Sequence, residues 1–216
     1  MRQRLGHPRA VGTATQSASD LDADPSSVDA VIKESLPRVE AVIADLNDPL
    51  PYPNHSFDGA ISHNVLECLN DPVALLDETA RIMKPGGRTI WSHVDFDGII
   101  IAGADRQLTR SVLHAYSDHP PTFLSTADGQ VSRQIPGFVK RSRLELTGVS
   151  IHQTTSHSLT GDARARVEEI AGAVDLEAAD LSSDDIATWM RQLLDADQGG
   201  KFFFSEPCVI VSSRTS

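Results

Sequence analysis

The fold is decided by residues 57–94, which read FDGAISHNVLECLNDPVALLDETARIMKPGGRTIWSHV. The segment 57–63 follows a loop rich in Pro and Asn and has the length of a strand. Asp71-Pro72 then supplies a helix cap and a first-turn proline, and Lys84-Pro85-Gly86-Gly87 is a helix stop signal. Residues 89–94 form the next apolar run. The stretch therefore predicts a strand, a helix and a second strand, which is the repeating unit of a parallel α/β sheet.

The same alternation of helix and strand extends in both directions from this stretch. Upstream, the pattern predicts a helix from Asp24-Pro25 to Pro37 and a strand over 39–46 that ends at Asn47-Asp48-Pro49. Downstream, it predicts helices over 106–116 and 135–146, a strand over 149–155, an acidic helical region over 162–196 and a final strand over 202–211. The class is therefore α/β, with a doubly wound and mostly parallel sheet.

We expect residues 1–216 to form a single domain, because this length is typical of one hydrophobic core. Residues 1–27 are rich in Ser, Thr, Ala, Asp and Gly and form a poorly defined N-terminal segment. Residues 160–200 are expected to form a helical insertion before the last strand.

The charge of the chain disfavours several classes of function. Its 30 acidic residues outnumber 19 Lys and Arg, which gives a formal net charge of -11. Such a chain has no general positive field to attract nucleic acid or anionic lipid. The longest apolar run, residues 98–104, is far shorter than the roughly 20 residues of a membrane-spanning helix. No apolar segment follows the basic residues at the N-terminus, so a cytoplasmic location is expected.

The two cysteines, Cys68 and Cys208, lie far apart in segments that read as helix and strand. This spacing indicates neither a disulfide framework nor a zinc site, and no metal is expected. Both side chains are predicted to be buried thiols.

Five short motifs occur in order along the middle of the chain. They are VIADL at 42–46, LPYP at 50–53, SFDGAIS at 56–62, NVLECL at 64–69 and ETARIMKPGG at 78–87. In this order and spacing, residues 39–97 resemble the central part of class I S-adenosylmethionine-dependent methyltransferases. The resemblance is strongest to the small-molecule group that includes the ubiquinone and menaquinone biosynthesis enzymes. It implies a Rossmann-like sheet with S-adenosylmethionine as the cofactor.

The resemblance also implies positions for the adenosine part of the cofactor. Asp45 is where this family hydrogen-bonds the adenine amino group, and Leu46 packs on the ring. Asp22 matches the acid that accepts both ribose hydroxyls, although Asp20 is close enough to compete for that role. The alternatives are that Asp45 only caps the turn before Asn47 and that Asp22 belongs to a solvated acidic turn.

The next strand ends carry the remaining candidate residues. His63 and Asn64 match positions that contact the methionine part of the cofactor, although a lone histidine is more often structural. His93, Asp95 and Asp97 leave the following strand where the acceptor would lie, and His93 or Asp95 is the candidate to take a proton from it. The alternative is a polar loop whose hydrogen bonds are satisfied within the protein. Asp58 is interpreted as structural. Trp91 and Phe202-Phe203-Phe204 are interpreted as core residues, and the alternative is that they line an acceptor pocket.

One element of the family pattern is missing from the sequence. The family's first strand ends in a glycine-rich turn, whereas only Gly6 and Gly12 precede Asp22 here. The first strand-helix unit is therefore expected to be lost or altered. Either the chain is an N-terminally incomplete methyltransferase, which we favour, or residues 8–20 substitute for the missing strand in a protein with changed cofactor binding.

The predicted function is S-adenosylmethionine-dependent methyl transfer to a small-molecule acceptor. In-line transfer needs chiefly a positioned sulfonium and nucleophile, so an obligatory catalytic residue is not required. The alternative is a truncated or degenerate relative that acts as a binding or scaffold subunit or as a cofactor-independent enzyme.

Arg106, Arg110 and Arg133 are candidates to meet an acidic substrate, against the alternative of solvated surface arginines. Neither a nucleic-acid nor a membrane partner is expected, and a homodimer is left open.

Overall fold

The computed structural model describes residues 18–22, 39–118, 129–177 and 179–216. The N-terminal segment before residue 18 and the helix predicted up to Pro37 lie outside the described residues. The chain is organised into two compact units. Of the described residues, the first unit contains 18–22, 39–92, 136–148 and 211–216, and the second contains 93–118, 129–135, 149–177 and 179–210.

Seven strands and five α-helices are present among the described residues. In chain order they are β1 Ala18–Asp22, β2 Val39–Ile43, β3 Phe57–His63, α1 Pro72–Ile82, β4 Met83–Val94, β5 Ile100–Ala102, α2 Arg106–Asp118, α3 Val131–Arg141, β6 Glu145–Ser156, α4 Gly161–Ala173, α5 Ser183–Gln198 and β7 Phe203–Arg214. Two 3-10 turns, Leu66–Cys68 and Phe96–Gly98, lie between these elements. None of the described helices combines the length and apolar character of a membrane span.

The strands form two separate sheets. β1 and β2 pair in parallel, from Ala18 opposite Val39 to Asp22 opposite Ile43. The larger sheet has the order β3-β4-β7-β5, and β6 pairs with β7 off this path. β3 and β4 are parallel, whereas β5 is antiparallel to β7. The prediction of an α/β fold with a mostly parallel, open sheet is confirmed.

The sequence predicts that the first strand-helix unit of the family is lost or altered, and the separation of β1 and β2 from β3 bears on this prediction. Among the strands that the structure describes, none joins the β1-β2 pair to the larger sheet. A doubly wound sheet with its first strand altered is expected to divide at this place, because the flanking strands lose their shared hydrogen-bonding neighbour. The glycine-poor segment that prompted this prediction lies before residue 18, outside the described residues.

The first unit is organised around α1 and residues 83–92 of β4. Asp71 caps α1 by accepting hydrogen bonds from the backbone N–H of Val73 and Ala74 at 3.0 and 3.2 Å. α1 buries Leu76 completely, on the apolar face that the sequence pattern predicts. Trp91 is 2% exposed, and its indole N–H donates to Thr89 Oγ1 at 2.9 Å. Trp91 is therefore a core residue, which confirms that interpretation.

The core of the second unit is formed by α2, α4 and α5 with the start of β7. Its fully buried centre includes Val112, Val167, Ile170, Trp189 and Leu193. Phe202 and Phe204 are 3% and 2% exposed and join this core, as expected from their strand pattern. The acidic region predicted as helical over 162–196 is thus two amphipathic helices whose apolar faces meet.

Two sequence predictions need correction. The helix expected over 135–146 runs from Val131 to Arg141, because Pro136 is tolerated within it and the following strand already begins at Glu145. Cys68, expected to be buried, is exposed at the end of its 3-10 turn. Cys208 is half-buried, and burial raises the pKa of its thiol, which disfavours the reactive thiolate.

Candidate cofactor and acceptor sites

Two of the predicted cofactor acids lie at one edge of the β1-β2 sheet. Asp22 is the last residue of β1, and it is paired with Ile43, the last residue of β2. Asp45 follows two residues later. Because the carboxyl ends of parallel strands meet at the same edge, the structure brings these two positions together in the first unit.

Asp45 is held in an exposed turn by Asn47. Its Oδ1 accepts hydrogen bonds from the backbone N–H of Asn47 at 2.9 Å and from the Asn47 side-chain amide at 3.0 Å. These bonds lower the pKa of Asp45, so the carboxylate is ionised at neutral pH. Oδ2 has no hydrogen-bond partner among the described residues and is available to accept one from a ligand. The neighbouring Leu46 is half-buried.

The turn that carries Asp45 is also tied to the segment after β3. Asn47 Oδ1 accepts a hydrogen bond from the backbone N–H of Asn70 at 2.9 Å. The alternative interpretation of Asp45 as a turn cap is therefore correct for Oδ1. It does not account for Oδ2, so the capping and ligand-binding interpretations are compatible.

His63 and Asn64 lie together at the carboxyl end of β3. His63 is the register partner of Ser92, and its Nδ1 lies 3.0 Å from Ser92 Oγ. Asn64 has a φ of 49° and donates its backbone N–H to the carbonyl of Ser92 at 3.0 Å. Asparagine is one of the few residues that adopt this left-handed conformation readily, so the chain turns sharply at the strand end. All the cofactor positions predicted from the sequence thus lie at strand ends in the first unit.

His93 occupies a core position in the second unit. Its side chain is completely buried, and its ring contacts Phe96 edge-on at 5.5 Å between centroids. Its Nδ1 lies 2.6 Å from the carbonyl oxygen of Val94 and carries the proton, because a carbonyl only accepts. This environment suits a residue that packs and orients the strand end. Proton transfer by His93 stays a prediction.

Asp95 and Asp97 share one cation. Arg133 donates from Nε to Asp95 Oδ2 at 2.7 Å and from Nη2 to Asp97 Oδ2 at 2.9 Å. The pair with Asp95 contributes most to raising the pKa of Arg133, so the guanidinium stays charged. Asp95 is only 8% exposed, and its backbone N–H donates to the carbonyl of Pro207 at 2.9 Å. The carboxylate is therefore fixed from both the backbone and the side chain.

Unpartnered polar oxygens occur in the same part of the second unit. Asp95 Oδ1, Ser117 Oγ and Ser132 Oγ are buried and have no hydrogen-bond partner within the described ranges. The backbone carbonyl of Gly129 accepts from Phe96 at 3.2 Å, and Gly129 packs so closely on Ser117 that it has no room for a Cβ. Buried polar atoms without partners are uncommon in native proteins, so this group is a candidate contact for a polar ligand atom.

One charged network was missed from the sequence. Arg166 pairs with Glu206 at 2.6 Å and Glu169 at 2.8 Å, and Tyr116 donates to Glu169 at 3.1 Å. The Arg166 guanidinium also lies 5.9 Å from the centroid of the Phe96 ring. Burial raises the pKa of Glu206 above its usual range, against the opposing effect of Arg166. The three-residue spacing of Arg166 and Glu169 is typical of an ion pair on one helix face and could have been predicted. Nothing in the local sequence connects either residue to Glu206.

The structure shows no group of three or more His, Cys, Asp or Glu residues able to hold a metal ion in the parts of the chain that it describes.

Comparison with known proteins supports a methyltransferase domain in the part of the chain that carries the predicted cofactor residues. Residues 12–91 match the methyltransferase-domain family model. The match contains every residue predicted to bind the cofactor, and His93 and Asp95 lie two and four residues after its end. It supports a methyltransferase domain in general, and the ubiquinone-like subgroup stays a prediction.

Two curated relatives match shorter parts of the chain. An uncharacterized 37.1 kDa protein in a transposon of Streptomyces fradiae is 33% identical over 102 residues, which are 47% of this chain and 28% of that protein. An uncharacterized methyltransferase of Schizosaccharomyces pombe is 46% identical over 46 residues, which are 21% of this chain and 16% of that protein. The chain thus matches less than a third of the length of either relative.

Solved structures support the fold across nearly the whole chain. A protein of Bacillus halodurans, provisionally assigned as a methyltransferase, aligns with a TM-score of 0.56 over 92% of this chain and 83% of that one. Its sequence is 12% identical, so the likeness shows the fold alone. Together, the domain match and the shared fold support a methyltransferase-type α/β fold.

Proposed function

We propose that this chain transfers a methyl group from S-adenosylmethionine to a small-molecule acceptor. One observation carries the proposal: the segment that matches a methyltransferase domain places its candidate cofactor residues at the carboxyl ends of parallel strands. Ligands of open parallel α/β sheets bind at these ends, where the loops converge.

The residues at this edge fit the adenosine part of such a cofactor. Asp45 is ionised, exposed and held by Asn47, and its Oδ2 is free among the described residues to accept the adenine amino group. Leu46 offers an apolar side chain to the ring, and Asp22 occupies the position for the ribose hydroxyls. His63 and Asn64 would hold the methionine part at the end of β3. When bound, S-adenosylmethionine supplies an electrophilic methyl group on its sulfonium.

The acceptor is assigned to the carboxylate that Arg133 fixes. Asp95 Oδ2 is engaged by the guanidinium, which leaves Oδ1 to accept a hydrogen bond or a proton from a hydroxyl or amine. His93 supports this position from the core by packing against Phe96. The net charge of -11 favours a small molecule over a nucleic acid as the acceptor.

Calorimetric titration with S-adenosylhomocysteine tests the cofactor site. We expect saturable one-to-one binding to the wild-type chain. Asp45→Asn keeps an acceptor for Asn47 but presents a donor to the adenine amino group, so it should weaken binding by roughly tenfold or more. Asp48→Asn is the matched control, because it removes the same charge from an exposed acid of the same turn.

A second variant separates acceptor chemistry from cofactor binding. Asp95→Asn should bind S-adenosylhomocysteine as the wild type does but lose transfer of a labelled methyl group to a panel of small hydroxy and amino compounds. The absence of S-adenosylhomocysteine binding by wild-type protein with a native circular dichroism spectrum would overturn the proposal.

A further inference from the structure

A groove lies between β5 and α2 in the second unit. It has a volume of about 550 Å³ and is lined by residues 99–104, Arg106, Thr109, Arg110 and Leu113. This volume is within the range of about 300–1,000 Å³ that is usual for small-molecule sites. None of its lining residues belongs to the cofactor positions or to the Asp95 position described above, although Arg106 and Arg110 are two of the three arginines that the sequence offered for an acidic substrate.

One part of the groove is apolar and exposed. The side chain of Ile100 is 56% exposed at the start of β5, although large aliphatic residues are usually buried. Leu113 is half-buried on the facing wall. β5 is the terminal strand in the order β3-β4-β7-β5, so no further strand of this order lies against its outer edge. The groove therefore offers apolar contact area that the described residues leave uncovered.

The other part of the groove carries two unpaired cations. Arg106 and Arg110 are exposed, lie one helical turn apart on α2, and form no ion pair with a described residue. The neighbouring acid, Asp105, is engaged because its Oδ1 accepts the backbone N–H of Leu108 at 2.8 Å. The chain contains 30 acidic residues and only 19 Lys and Arg, yet none of the described acids forms an ion pair with either arginine.

The positions of these arginines are unfavourable for the helix itself. Like charges four residues apart repel each other and slightly destabilise a helix. A cation in the first turn, where Arg106 lies, also opposes the helix dipole. A bound anion removes both penalties, because the two guanidinium groups can donate to it together.

We propose that this groove binds an amphipathic anion, a small molecule with an apolar chain and a terminal carboxylate or phosphate. Arg106 and Arg110 bind the anionic group, and Ile100 and Leu113 contact the apolar chain. The proposal does not depend on methyl transfer, because it assigns a separate site with its own ligand chemistry.

Titrations with octanoate and octyl phosphate test the proposal on the full chain. Both probes have the same apolar chain, so their relative affinities identify the preferred anionic group, and preference for either one supports the site. 1-Octanol is the neutral comparator, and inorganic phosphate is the comparator without a chain. We expect the preferred anion to bind at least roughly tenfold more tightly than 1-octanol, since charge-assisted hydrogen bonds are the strong ones.

Variants locate the binding in the groove. The double variant R106Q/R110Q should weaken binding of the preferred probe by at least roughly tenfold. Arg88→Gln changes an exposed arginine outside the groove and should have no effect. Ile100→Ser should weaken binding of the octyl probe and leave the weak response to inorganic phosphate unchanged. Thermal melts confirm that each variant is folded.

Two results would overturn the proposal. One is a wild-type chain that does not prefer the anionic probes, either because it binds 1-octanol equally well or because it binds neither anion saturably. The other is an unchanged affinity in folded R106Q/R110Q. Neither result bears on S-adenosylhomocysteine binding, so this proposal and the proposed function can fail separately.

Discussion

Arg133 joins Asp95 to Asp97 through two different guanidinium nitrogens, at 2.7 and 2.9 Å. Asp95 precedes the 3-10 turn Phe96–Gly98 and Asp97 lies within it, so the arginine fixes this turn from the start of α3. The arrangement engages one oxygen of Asp95 and leaves the other without a partner among the described residues. Arg133, which the sequence offered as a candidate to meet an acidic substrate, is thus paired with two acids of its own chain.

Replacement of Arg133 should destabilise the protein. Arg133→Gln leaves the largely buried carboxylate of Asp95 without its cation, and we expect a loss of about 1–3 kcal/mol in the free energy of unfolding. The value should fall in the lower half of this range, because the Arg133 side chain is 44% exposed. Urea unfolding measures it. Arg143→Gln is the control. The Arg143 side chain is 71% exposed, and its ion pair with Asp77 is long at 3.9 Å. We therefore expect almost no change in the free energy of unfolding. Equal effects of the two substitutions would contradict the assignment.

Arg81 anchors the loop that precedes β3. It donates to the carbonyls of Leu50 and Tyr52 and to Asn54 Oδ1 at 2.8–3.0 Å, and it also pairs with Glu78 at 2.8 Å. A lysine has one nitrogen and cannot reach all these acceptors. Arg81→Lys should therefore lower the free energy of unfolding by about 1–3 kcal/mol, measured by urea unfolding. Arg88→Lys, at an exposed position, should leave it unchanged; a similar loss there would mean that the effect is not specific to this loop.

The partner of Arg81 predicts a pH dependence. The hydrogen bond from Arg81 lowers the pKa of Glu78 below its ordinary value of 4.5 in the folded protein. Its stabilising contribution is fully present above that ordinary value and is lost as the pH falls through the lowered folded value. Glu78→Gln should therefore reduce the fall in unfolding free energy between neutral and acid pH. Urea unfolding at a series of pH values measures this slope, and an identical slope in wild type and variant would contradict the prediction.

The sequence predicted the elements whose signals are local. Phe57–His63 and the start of α1 were predicted to the residue, because a loop bounds the strand and Asp71-Pro72 caps the helix. The contacts of Arg133 and of Glu206 were not predicted, since their partners lie about 40 positions away and surface and buried arginines look alike in a sequence. The burial of His93 was missed for a similar reason: a strand end can lie in a site or in a core, and only tertiary packing decides which.

Gly103 provides a test of the packing in the second unit. It has a φ of +128°, and a Cβ at this position would lie 2.7 Å from Ala196 Cβ on α5. Gly103→Ala combines an unfavourable backbone conformation with overpacking, so we expect a loss of about 1–3 kcal/mol in the free energy of unfolding. Gly148→Ala is the matched control, because a Cβ there meets nothing within 4 Å in an exposed strand. It should leave stability unchanged or raise it by up to about 1 kcal/mol through the unfolded chain. Since Gly103 also lines the groove beside β5, the same variant should weaken binding of octyl phosphate if α5 forces the loop to shift. Equal stability of the two variants would mean that α5 does not pack on Gly103 as described.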